Sequence, residues 1–196
     1  MRLVYGVLAF VAALCVIATA LAGQMPVGTD STSSGSALLL SPAQRTAAIQ
    51  GALSAAPANI AIHAAVAQWS ADDRLLPIRP GTNGFTCIPG SRDDPARDAM
   101  CLDQTGLAWL QSLRKSEAHP RNSRPGIAYM LQGRGGRAGS DARDRTSRAP
   151  LPPPHWELLW PFDPIATGLP TTSKENGTWI MLANTPFAHL MIYQIP

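Results

Sequence analysis

The chain has 196 residues, a formal charge of +3, 45% hydrophobic residues and 15% charged ones. That length suits one domain with a sizeable core. A balance so mildly basic gives no general charge argument for nucleic acid, and none is expected as a partner.

The opening stretch MRLVYGVLAFVAALCVIATALAGQ has the layout of a secretory signal peptide. Arg2 supplies a positive start, residues 3–17 are apolar except for Gly6, and Ala18-Thr19-Ala20 and Ala20-Leu21-Ala22 offer small residues for cleavage. Cleavage after Ala22 predicts a mature chain from Gly23 onward, with no membrane span, exported to the periplasm or the medium. Retention as an anchor is the alternative, since about 20 apolar residues can just cross a bilayer. Leu14, ahead of Cys15, argues against a lipoprotein site. Richness in Ala, Arg and Pro with little Lys suggests a GC-rich bacterial source.

Residues 23–40 are rich in Ser, Thr and Gly and read as a flexible arm. Ser41-Pro42 is a helix start, an N-cap followed by proline at N1, and 42–55 should be helical. From Ile60 the residues alternate, "SADD" makes a turn and "RLLPIR" follows, which predicts a hairpin. "PGTNG" (80–84) is a second turn, with Phe85–Ile88 a short strand. Asp94 caps a predicted helix over 95–117, with Pro95 at its first position and Leu102, Gly106, Trp109 and Leu113 on one face.

After processing only Cys87 and Cys101 remain. An even pair in an exported chain points to a disulfide, here tying a strand to the predicted helix. Free thiols are the alternative. Zinc is disfavoured because thirteen residues separate the pair and no third cysteine survives. Asp93, Asp94, Asp98 and Asp103 do not match a calcium-loop spacing. No metal site and no cofactor are expected.

The second half reads as strands: Gly126–Leu131, His155–Phe162, Thr178–Ala183 and Ala188–Ile195. The whole predicts a single α+β domain over 41–196, with a largely antiparallel sheet and two main helices. Residues 132–154 form a Gly/Arg- then Pro-rich loop. Over 114–148, nine Lys and Arg face three acids. Arg134, Arg137, Arg143, Arg145 and Arg148 therefore suggest an anionic envelope surface as a partner, against the simpler reading of a solvated mobile loop.

No H-E-x-x-H, H-x-H, C-x-x-C, G-x-S-x-G or Walker loop occurs. His63 reads as packing or edge and His119 as solvent. His155 and His189 each head an apolar strand, where Glu157, Asp163 and Tyr129 can approach them. A histidine oriented by a carboxylate can act as a general base, so these five are the candidate catalytic residues of an envelope hydrolase. The alternative is a structural histidine bonded within the sheet. Met130, Met181 and Met191 near His189 raise a copper reading, but methionine at strand positions more often fills a core.

"TNGFTCIPG…AMCLD", "GIAYMLQG", "HWELLWPFDP…GLPT" and "TWIMLANTPFAHLMI" together resemble a family of uncharacterised exported bacterial proteins. That family carries a G-x-N-G-W-T-C…P-M-C-L-D segment and ends in a G-T-P-Y-A-H-[IL]-M-like motif. The likeness covers roughly residues 40–196, with Phe85, Ala99, Asn184 and Phe187 standing where Trp, Pro, Gly and Tyr are expected. The Arg-rich 134–148 segment looks unlike the family. The resemblance implies an exported single domain and carries no activity or site residue with it. The leading expectation is thus an exported, disulfide-stapled binding or structural domain of the envelope. The hydrolase and the anionic-surface binder are its rivals.

Overall fold

The computed structural model describes residues 40–133, 152–173 and 177–194. The predicted signal peptide, nearly all of the arm, and Arg134, Arg137, Arg143, Arg145 and Arg148 lie outside those residues.

Helix α1 (Pro42–Leu53) begins as its sequence dictates. The Ser41 hydroxyl accepts from the Gln44 N–H, and the Gln44 side chain accepts from the Ser41 N–H, at 3.2 and 2.9 Å. This reciprocal cap satisfies amides that the first turn leaves without partners. A single helical turn follows, α2 (Ala58–Ala61). The alternation from Ile60 therefore overshoots: Pro57 opens another turn, and the strand starts only at Ala65.

Strands β1 (Ala65–Trp69) and β2 (Leu75–Arg79) form the expected hairpin. Its turn is closed by the Ser70 N–H donating to the Arg74 carbonyl at 2.8 Å. Strand β3 (Thr86–Ile88) runs parallel to β1, the only parallel pair among the described strands. Then come β4 (Met100–Leu102), α3 (Gln104–Arg114), β5 (Gly126–Met130), β6 (His155–Leu159), α4 (Pro164–Thr167), β7 (Thr178–Met181) and β8 (His189–Tyr193). They form one eight-stranded, mostly antiparallel sheet in the order β2-β1-β3-β4-β5-β6-β8-β7. With two longer helices, this is an α+β domain. No helix of the described residues is long and apolar enough to cross a membrane.

The segment 95–103 departs from the sequence-based expectation. It holds no helix; Asp94 accepts from the Arg97 N–H at 3.2 Å in a loop, and Met100–Leu102 pairs as a strand. The helix begins at Gln104 because Asp103 caps it. The Asp103 carboxylate accepts from the Gly106 N–H at 2.6 Å and from the Ile127 N–H at 3.2 Å. One side chain thus starts α3 and ties it to β5. Gly106 and Gly126 make that approach possible, since a Cβ on Gly126 would lie 2.4 Å from the Gly106 nitrogen.

Cys87 and Cys101 form a disulfide. They face each other across β3 and β4, so the bond joins strand to strand, not strand to helix. Both are fully buried. On their side of the sheet they pack with α1 residues Ala48 and Ala52 and with Val66. The opposite side carries Ile88, Leu102, Ala128, Leu159 and Trp109 of α3. Residues alternate between the two faces, as the pleat requires.

Candidate functional site

Strand β6 is turned inside out. By hydropathy, the run His155-Trp156-Glu157-Leu158-Leu159 should point its polar residues to water. Instead His155 and Glu157 are buried, at 0% and 6% exposure, while Trp156 and Leu158 are only half-buried. Strand β8 repeats the pattern: His189 and Met191 are buried, and Leu190 and Ile192 are half-buried. Burying ionisable side chains in place of available apolar ones costs stability. Conflicts of this kind between pattern and placement concentrate at functional sites.

Register puts these groups on one face. Glu157 pairs with Met191, and His155 with Tyr193, so His189 lies diagonally across from Glu157. Diagonal neighbours of this kind are about 7–8 Å apart, within reach of long side chains. His155 and His189 are four positions apart along the ribbon, too far for direct contact at about 3.4 Å per residue. Glu157 stands between them.

The two histidines are held alike. Each heads its strand, and each Nδ1–H donates to the carbonyl two residues back: His155 to Pro153 at 2.6 Å, His189 to Phe187 at 2.9 Å. In the neutral ring the lone pair then lies on Nε2. His155 Nε2 is 3.4 Å from Glu157 Oε1, close enough for an ion pair but without the geometry of a hydrogen bond. The His189 ring stands edge-on to Trp109, with centroids 4.9 Å apart.

A cavity of about 400 Å³ opens beneath α3 on this face. Its walls are mostly apolar: Trp109, Leu110 and Leu113 from the helix, Leu102, Met130, Leu159 and Met181 from the sheet. Into this surface come Glu157 and His189, with Asp98 and Arg114 also lining it. The buried indole N–H of Trp109 has no acceptor among the described residues. Two lining residues hold left-handed backbone, Asp98 at φ 62° and Leu182 at φ 53°. For a bulky leucine that conformation is costly, about 1–3 kcal/mol, and such strain gathers at working sites.

Of the sequence candidates, Glu157 and His189 line the cavity, and His155 touches Glu157 from outside its wall. Asp163 does not join them. It is the exposed N-cap of α4, accepting from the Ile165 and Ala166 N–H groups at 2.8 and 3.4 Å. Tyr129 packs on the opposite face of the sheet, beside Phe85. His63 and His119 are exposed. Met130 and Met181 line the cavity and Met191 is buried beside them. Among the described residues, no three His, Cys, Asp or Glu side chains converge as metal ligands. The sequence carried no signal for the cavity's helical wall; for its floor the only signal was residue type, since the inverted alternation of β6 and β8 shows in their burial.

No protein-family model, curated protein or solved structure matches the chain.

Proposed function

We propose that this chain is an exported, disulfide-stapled binding domain of the bacterial envelope, and that its ligand occupies the cavity beneath α3. One observation carries the reading: two buried ionisable side chains, Glu157 and His189, in the wall of a largely apolar cavity. A cavity of this size with a few convergent polar groups is the usual form of a small-molecule site. The signal-peptide layout of residues 1–22 supports export, which predicts a mature N-terminus at Gly23.

The test is titration with a small neutral fluorophore such as an aminoanthracene. Saturable one-to-one binding is expected, and Leu113→Trp or Met100→Trp, each filling the cavity, should abolish it while circular dichroism stays unchanged. Binding that survives both substitutions would place the ligand elsewhere and remove the proposal.

A second reading is the envelope hydrolase, favoured by the contact of His155 with Glu157 beside the cavity that His189 lines. Here Glu157 or His189 would serve as general base, with its partner held by fixed neighbours. Turnover of nitrophenyl esters that is lost in His189→Ala, with fluorophore binding retained, would establish it. Absence of turnover in the wild-type protein leaves the binding domain.

A further inference from the structure

The cavity does not end at its own wall. A second depression of about 520 Å³ abuts it and shares two lining residues, Trp69 and Arg114. These two are stacked: the Arg114 guanidinium lies over the Trp69 ring, 4.3 Å from its centroid. The stack is therefore a partition between an inner apolar chamber and an outer charged groove. The groove is lined by the tip of the β1–β2 hairpin and the end of α3.

The two compartments differ in lining. The inner one is walled largely by Leu, Met and Trp side chains, and its Glu157 faces His155. In the outer one, Arg74 pairs with Asp72, and Arg114 pairs with Asp73. Lys115 also lines the groove and makes no ion pair among the described residues. The groove thus has one cation in surplus. An anion is attracted to Lys115, and an apolar chain to the Leu, Met and Trp side chains of the inner walls.

We infer that the ligand is a medium-chain carboxylate, lying with its hydrocarbon chain in the inner chamber and its head past the Trp69–Arg114 stack at Lys115. This rests on the cavity being the ligand site. The single surplus cation matches a singly charged head. An inner volume at the small end of the range for ligand sites matches a chain of about ten carbons.

Calorimetric titration of the purified protein with decanoate, octanoate, decanol and decylamine at neutral pH tests it. Decanoate should bind about fivefold tighter than decanol, the most that one exposed charge pair normally contributes. That advantage should disappear in about 0.5 M salt, where exposed charges are screened. Octanoate should bind about fifteenfold more weakly than decanoate, from two methylenes fewer in the chamber. Lys115→Gln, on the surface, should bring decanoate and decanol level and leave decanol binding unchanged.

If no decyl compound binds, both the cavity reading and this inference fall. If decanol binds but decanoate binds no tighter, or Lys115→Gln leaves the difference intact, the cavity reading stands and the carboxylate is refuted. Tighter binding of decylamine, seated head-first at Glu157, would overturn the inference in the same way.

Discussion

Replacing His155 and Glu157 together by apolar residues of similar size should leave the fold as stable as before, or stabilise it. The two side chains are 0% and 8% exposed, and their closest approach is 3.4 Å. With both ionised and an effective dielectric constant near 20, their attraction is about 5 kcal/mol. Removing two ions from water costs several kcal/mol each, so the pair at best breaks even. It also lacks the 2.7–2.9 Å contact of a strong charge-assisted bond, roughly. The His155 bond to Pro153 adds about 1 kcal/mol that the double variant forgoes. The expected net for His155→Leu with Glu157→Met is therefore between about zero and a gain of 3 kcal/mol. Glu157→Met alone should lose about 3 kcal/mol, because it strands His155. Urea unfolding followed by circular dichroism measures both, provided the denaturant slope is unchanged. A double variant less stable than either single one would show that the pair supports the fold, and the functional account of the inverted strand would fail.

Replacing both Cys87 and Cys101 by Ser should cost about 3 kcal/mol, since closing a loop of about 15 residues restricts the unfolded chain by that much. An unchanged urea midpoint would count against it. Gly126→Ala drives a methyl group against the Gly106 backbone nitrogen. A loss of about 1–3 kcal/mol is expected, and wild-type stability would mean that α3 and β5 can part without cost. Burial raises the Tyr193 phenol above its ordinary 10.0, with the Trp179 side chain pulling the other way. Its contribution is whole below pH 10.0 and declines as pH rises through the raised value, because the unfolded chain ionises first. Tyr193→Phe should flatten that alkaline decline; an unaltered alkaline limb in the variant would rule the assignment out.

Local chemistry made much of this fold legible. Ser41-Pro42 announced α1, and "SADD" announced the β1–β2 turn, because caps and turns depend on neighbours in the chain. The strand at Met100–Leu102 was hidden because three residues are too few to show a period of two. Leu102 also falls in step with Gly106 and Trp109, so the helical pattern absorbed it. What separates strand from helix there is Asp103, whose role depends on Ile127, distant in sequence. For the site, His155, Glu157 and His189 could be singled out by residue type alone. Asp163 and Tyr129 were indistinguishable from them until register assigned a face to each. The cavity's other wall, Trp109 and Leu113, read as ordinary helical core, since a helix lining a void and a helix lining a packed interior have the same periodicity.

The disulfide sits on the far side of the sheet from the cavity, directly behind its floor. Cys87 is followed by Ile88, and Cys101 is flanked by Met100 and Leu102; all three neighbours line the cavity. A slip of one residue between β3 and β4 would exchange the two faces of the sheet and present sulfur where those side chains stand. Strands three residues long have few ladder bonds to forbid it. A covalent link between facing residues allows one alignment only. The bond therefore acts as an alignment pin for the floor of the cavity, and forming it decides which side of these two strands a ligand would meet.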